Sequence, residues 1–172
     1  SAIVALQRLA AHHRRNFKGR VVAITGSNGK TIVKEWASRS MPDTVRSFAS
    51  PKSYNSQLGV ALSLLMLEGE EEVAFIEAGI SEPGEMERLE AMIRPDIVVV
   101  TSIGAAHSAN FESERHKIEE KLLLARRART IIYSSEYRSL ASCIAELYGD
   151  RELIDSSKEE DVEDELEVSD AL

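Results

Sequence analysis

Residues 25–31, Thr25-Gly26-Ser27-Asn28-Gly29-Lys30-Thr31, follow an apolar run at 21–24 and lead into a segment with helical character from about Thr31. This order of residue types suits a phosphate. Gly26 and Gly29 let backbone N–H groups, with those of Ser27 and Asn28, turn toward an anion, and a helix N-terminus adds partial positive charge. Lys30 can reach outer phosphates, and the Thr31 hydroxyl can ligate magnesium. The general pattern G-x-x-x-x-G-K-[ST] is met except at its first glycine, where Ile24 stands. A tight strand-to-helix turn with an exposed lysine is the alternative reading. A nucleoside triphosphate is the expected ligand, with magnesium at the Thr31 hydroxyl.

A loop of this kind works only if a strand and a helix hold it. At 172 residues the chain has room for one well-buried core. Helical spacing of Leu6, Leu9, Ala10 and His13 predicts a lead-in helix over 3–15, broken by Lys18-Gly19 before the first strand. The pattern then predicts a helix over 31–41 stopped by Pro42, a short strand at 45–48 and a polar loop over 49–54. A helix follows, with Leu58, Ala61, Leu62, Leu65 and Met66 on one face, then a strand at 73–77. Met86, Leu89 and Ile93 mark the next helix, followed by a strand at 97–100. A helix over about 113–127, a strand at 130–133 and a helix around 137–147 complete the series. Strands alternating with such helices predict an α/β fold with a doubly wound, mostly parallel sheet, because parallel strands need long crossovers. Ligands in these sheets bind beyond the carboxyl ends of the strands. The loop at 26–31, the loop at 49–55, Glu77 with Ala78-Gly79, and residues 101–107 should therefore share one rim.

Three rim residues carry chemistry. Glu77 ends an apolar strand, where a carboxylate is costly unless positive charge lies near; it reads equally as a surface glutamate or as a partner of magnesium. His107 follows the small residues Gly104-Ala105-Ala106, which leave room for a ligand, although a lone loop histidine can also be structural. Lys121 lies in the charged run 119–123, where spacing alone gives a solvated lysine weakly repelled by Lys117. His12, His13 and His116 read as surface or packing residues.

Composition narrows the function class. The net charge is −8, yet residues 155–172 hold nine acids and one lysine, so the body is neutral and offers no basic field for nucleic acid. That stretch reads as an acidic, solvated extension. No apolar run approaches the roughly 18 residues of a membrane span. Cys143 is the only cysteine, which excludes an internal disulfide and fits a cytoplasmic location as a buried small hydrophobe. A start at Ser1 without a secretory layout suggests a piece of a longer chain.

Several ordered motifs go further. I-T-G-S-N-G-K-T with V-K-E, then Y-N-S-Q-L-G-V, then E-A-G-I-S-E-P-G-E-M resemble the Mur ligases of bacterial peptidoglycan synthesis, most of all their D-alanyl-D-alanine-adding type. The similarity runs from about Leu6 to Tyr133, and the family's shortened phosphate loop accounts for Ile24. The resemblance implies a P-loop NTPase-like central, ATP-binding domain over 1–154, cut short, with 155–172 as an acidic tail. It implies that Gly26, Ser27, Asn28, Gly29 and Lys30 hold ATP phosphates, that Thr31 and Glu77 serve one magnesium, and that His107 serves a second. Lys121 falls where the family has a lysine carbamylated by carbon dioxide, which turns a cation into a carboxylate supporting the metal site. Asn55 falls in the polar loop facing the phosphates and the acyl substrate, beside Ser56, where the family often has Asn or Thr. The implied substrates of the full-length parent are a UDP-muramoyl peptide and D-alanyl-D-alanine, joined through an acyl phosphate, and the implied partners are flanking domains of the same chain. The fragment alone should not complete a ligation. After the strand ending near Tyr133 the chain reads Ser134-Ser135-Glu136-Tyr137, where the family usually offers Asn and Asp to the adenine. Two other readings stand beside this one: a folylpolyglutamate synthase-like ligase domain, and a non-catalytic nucleotide-binding module.

Overall fold

The computed structural model describes residues 2–104 and 110–158. Its centre is a six-stranded sheet in which every pairing is parallel. The strands are β1 (Arg20–Thr25), β2 (Ser47–Ala49), β3 (Val73–Glu77), β4 (Ile97–Val100), β5 (Thr130–Tyr133) and β6 (Glu152–Asp155), in the spatial order β2-β3-β1-β4-β5-β6. The helices are α1 (Ala2–Asn16), α2 (Lys30–Arg39), α3 (Gln57–Leu65), α4 (Glu85–Ile93), α5 (Glu114–Leu122) and α6 (Arg138–Tyr148), and a 3-10 turn, Leu123–Ala125, extends α5.

Alternation along β1 and β4 divides the core. Val21, Ala23, Val98 and Val100 face one side with Ala10 of α1, Val60 and Leu64 of α3, Leu89 and Ile93 of α4, Ile118 and Leu122 of α5, and Ile144 of α6. Val22 and Ile24 face the other side with Phe75 and with Val33 and Ala37 of α2. The asymmetry follows from the common hand of parallel crossovers. Only the step from β1 to β2 runs toward the β2 edge; every later step runs the opposite way, so its helix falls on the other face.

Local chemistry fixes the ends. Ser56 caps α3 by accepting from Gly59 N–H at 3.2 Å, and Ser113 caps α5 by accepting from His116 N–H at 3.0 Å. The lead-in helix closes the far end of α4: the Arg14 guanidinium is buried and donates to the carbonyls of Ile93 and Arg94 at 2.8 and 2.9 Å. His13 makes a 2.7 Å hydrogen bond with the Leu67 carbonyl, and Cys143 lies on the buried face of α6.

Three local expectations require correction. The second strand is Ser47–Ala49 rather than 45–48, because Val45 N–H closes a turn onto the Pro42 carbonyl at 2.9 Å. Of the face expected for α3, Ala61 is buried but Leu58, Leu62 and Met66 are exposed, and the helix buries Val60 and Leu64 beside Ala61. Two apolar stripes run along that helix, and small residues at Gly59 and Ser63 let the second approach the sheet. β6 is a strand that the pattern of 152–155 does not announce, since both Glu152 and Ile154 on its outer side are exposed. It carries the sheet to Asp155.

Candidate functional site

The carboxyl ends of β1 and β3 lie side by side, with Ile24 in register with Glu77, so the loop after β1 and the end of β3 meet at one rim. Gly26 has φ +140°, and a Cβ there would lie 2.1 Å from Thr101 Oγ1, so only glycine fits between β1 and the segment after β4. That segment braces the loop. Thr101 Oγ1 donates to the Asn28 carbonyl at 2.6 Å, Ser27 N–H donates to the Ser102 carbonyl at 2.6 Å, and Gly104 N–H donates to Ser27 Oγ at 3.0 Å. Gly29 precedes α2 without a side-chain cap, which leaves the first amides of that helix free of a side-chain acceptor.

Two lysines converge on the loop from different helices. Lys30 Nζ donates to the Gly26 and Ser27 carbonyls at 3.1 and 3.3 Å, and Lys121 Nζ of α5 donates to the same Gly26 carbonyl at 3.2 Å. Lys121 is 4% exposed, which overturns the solvated reading that spacing alone suggests. Burial, with the charges of Lys30 and then Lys117 adding to it, pushes the Lys121 ammonium down to about 8. Lys30 is also lowered by burial, with the Glu77 carboxylate acting in the opposite direction. Lys117, one turn before Lys121, donates to the Gly104 carbonyl.

Glu77 is 1% exposed and heavily engaged. Its Oε2 accepts from Thr31 Oγ1 at 2.8 Å and its Oε1 accepts from Asn55 Nδ2 at 2.8 Å. Gly79 lets this happen: a Cβ there would come within 3.1 Å of Asn55 Cγ. A cavity of about 140 Å³ opens beside Asn55 and Gly79, lined by Ser27, Lys30 and Lys121 at one end and by Gln57, Ser81 and Glu85 at the other. Gln57 donates to the Glu85 backbone carbonyl at 2.8 Å, while the Glu85 carboxylate accepts from Ser81 and Glu82 N–H groups at 2.7 and 3.0 Å.

The structure thus brings Lys30, Thr31, Asn55, Glu77 and Lys121 to one rim with the 26–29 loop. His107 lies outside the described residues. Among the described residues no three His, Cys, Asp or Glu side chains group as a metal cluster. The oxygens that could hold Mg2+ are Thr31 Oγ1 and the Glu77 carboxylate, a hard pair that fits an ion completing its shell with phosphate and water. Lys34 and Gln57 stand within the motifs V-K-E and Y-N-S-Q-L-G-V, which assign neither of them a role. Lys34 lies on the same helical face as Lys30 and Thr31, four and three residues on, and that spacing was the available signal. After β5, the Asp155 carboxylate accepts from Ser135 N–H at 2.9 Å and Ser157 Oγ at 2.7 Å. Hydrogen bonds from Ser135 and Ser157 hold its carboxyl far below the usual range, so this turn is closed on itself.

A parallel sheet with a glycine-bounded loop before α2 and a buried carboxylate at the end of the neighbouring strand defines a P-loop-like α/β domain. Residues 24–168 match the Mur ligase middle domain, and the chain belongs to the Mur ligase family. It is 38% identical over 112 residues to the UDP-N-acetylmuramoyl-tripeptide D-alanyl-D-alanine ligase of Borreliella burgdorferi, covering 65% of this chain and 24% of that one. Among solved structures it is similar to MurF from Acinetobacter baumannii, with TM-score 0.81, 26% identity, and coverage of 88% of this chain and 34% of the other. It is likewise similar to the MurF ligase of Thermotoga maritima in complex with ADP, with TM-score 0.79, 28% identity, and coverage of 89% and 36%. The chain spans between 24% and 36% of the length of these three proteins.

Proposed function

We propose that residues 1–154 are the ATP-binding central domain of a longer, cytoplasmic amide ligase, which adds D-alanyl-D-alanine to a UDP-muramoyl peptide in peptidoglycan synthesis. The observation that carries this reading is the convergence on one rim of Lys30 and the buried Lys121, an uncapped helix start and a carboxylate already held by Thr31 and Asn55. The names of the relatives, and the ADP in the Thermotoga maritima structure, support the nucleotide and the substrates.

In this reading a substrate carboxylate attacks the γ-phosphate, giving an acyl phosphate and releasing ADP; an amine then attacks that carbonyl, and the tetrahedral intermediate collapses to an amide with loss of phosphate. Two anions must first meet, so their repulsion has to be cancelled. Lys30 and the free amides of α2 draw the phosphates to the rim. Thr31 and Glu77 would hold Mg2+, which neutralises phosphate charge when bound. His107 would serve a second ion. Lys121, with its lowered pKa, has a larger neutral fraction than an ordinary lysine, and it is the neutral amine that carbon dioxide would carbamylate to give a carboxylate beside the phosphates. Gln57, Ser81 and Glu85 shape the far end of the cavity, where the acyl substrate would enter.

The full-length parent is expected to consume ATP only when given both a UDP-muramoyl peptide and D-alanyl-D-alanine, and Lys30→Ala should abolish that consumption in a coupled ADP-release assay. Undiminished turnover by the variant would remove Lys30 from the phosphate role. The turn after β5 favours a second reading, a nucleotide-binding module without ligation, because Ser135 is engaged by Asp155 rather than left open to a base. ATP consumption that ignores both substrates would favour that alternative.

A further inference from the structure

Lys34 is a lysine with no exposed surface, and the phosphate-loop chemistry leaves it without a task. A buried ammonium is costly unless every donor finds an acceptor. Here Nζ donates to the Ser50 carbonyl at 2.6 Å and to the Lys52 carbonyl, and lies 3.8 Å from Glu77 Oε2 and 3.6 Å from Glu35 Oε1. Those contacts join three elements: α2, the loop after β2, and the end of β3. The loop needs the help. Lys52 has φ +46°, a left-handed conformation uncommon for a non-glycine residue, and such backbone persists only where its surroundings over-determine it. The same loop presents Ser50 Oγ to Glu77 N–H at 3.2 Å and delivers Asn55 to Glu77 Oε1. Glu77 is thus addressed by Thr31 from one side, Asn55 from another and Lys34 from beneath.

We propose that Lys34 is a positioning residue whose buried ammonium fixes both the Glu77 carboxylate and the 50–55 loop, and so sets the metal-dependent part of nucleotide binding. This rests on the Mg–nucleotide reading of the rim. Lys34 touches neither nucleotide nor metal; it acts through Glu77 and the loop carbonyls. Partners of a metal-ligating group typically change metal affinity about 10- to 100-fold when removed.

The test compares ADP binding to the 172-residue chain with Mn2+ and with chelator, by titration calorimetry, with Mn2+ followed separately by electron paramagnetic resonance. Lys34→Met should lose at least about tenfold of the Mn2+-dependent gain in affinity, while metal-free ADP binding stays within about twofold, as a residue outside the phosphate loop requires. In a Glu77→Gln background, Lys34→Met should add no further loss. Lys34→Gln keeps N–H donors for the loop carbonyls without the charge and takes the place of Lys34→Met should that variant not fold. Equal losses with and without metal, or no loss, would overturn the proposal. A full-length parent that binds no nucleotide would sink the functional reading alone. Amide hydrogen exchange of residues 50–55 then decides for Lys34: faster exchange in the variant supports it, and unchanged exchange overturns it.

Discussion

At the scale of single residues, Lys121 makes the sharpest prediction. Its folded pKa of about 8 lies below the ordinary lysine value of about 10.4. Between those values the unfolded chain binds a proton that the folded chain does not, so this residue makes stability rise with pH across that window. Its contribution is on the order of 3 kcal/mol. Cys143 and Tyr148, both raised by burial, pull the other way at alkaline pH, so the useful quantity is the difference between wild type and Lys121→Met. Urea denaturation in CO2-free buffer should show the two curves diverging from pH 8 upward, and parallel curves would contradict the assignment. Lys121 also measures what a sequence conceals. Its neighbours Glu119, Glu120 and Lys117 give it the look of a solvated helix face, and only the docking of α5 against the loop after β1 buries it. Glu77 was easier to read, since an acid closing an apolar strand poses its own question about what balances the charge.

At the scale of elements, the phosphate loop is held by the segment after β4 as much as by its own glycines. Gly26→Ala places a methyl group against Thr101 Oγ1 at a backbone angle that disfavours side chains. A stability loss of roughly 1–3 kcal/mol in thermal unfolding is expected, together with loss of nucleotide binding. Unchanged stability would mean that the loop and the 101–104 segment are not coupled as described. Strands and helices with one strong apolar pattern were legible in the sequence: β1, β3, β4 and β5 and the helices around them lie where periodicity put them. The pattern misled on α3 because two apolar stripes compete there, and packing against α1 and β3 decides between them. It was silent on β6 because an edge strand with an exposed outer face carries little alternation.

At the scale of the molecule, the common hand of the crossovers puts every helix that follows β2 on one face of the sheet and α2 alone on the other. The phosphate loop, α2 and Glu77 therefore sit near the middle of the sheet, where the chain changes direction, which is the place such sheets bind ligands. The chain spans between 24% and 36% of the three proteins compared above. Isolated residues 1–172 are expected to bind Mg-ATP no more tightly than micromolar by calorimetry; nanomolar affinity would show that the rest of the ligase contributes little to the nucleotide site.

The account stands or falls on whether Thr31 and Glu77 form one metal site beside the phosphate loop. Anomalous scattering from crystals grown with Mn2+ and a non-hydrolysable ATP analogue tests this most directly. The predicted result is a manganese peak at about 2.1 Å from Thr31 Oγ1 or a Glu77 carboxylate oxygen, with the analogue's phosphates against Lys30. Phosphates bound elsewhere, or no manganese at either residue, would contradict it.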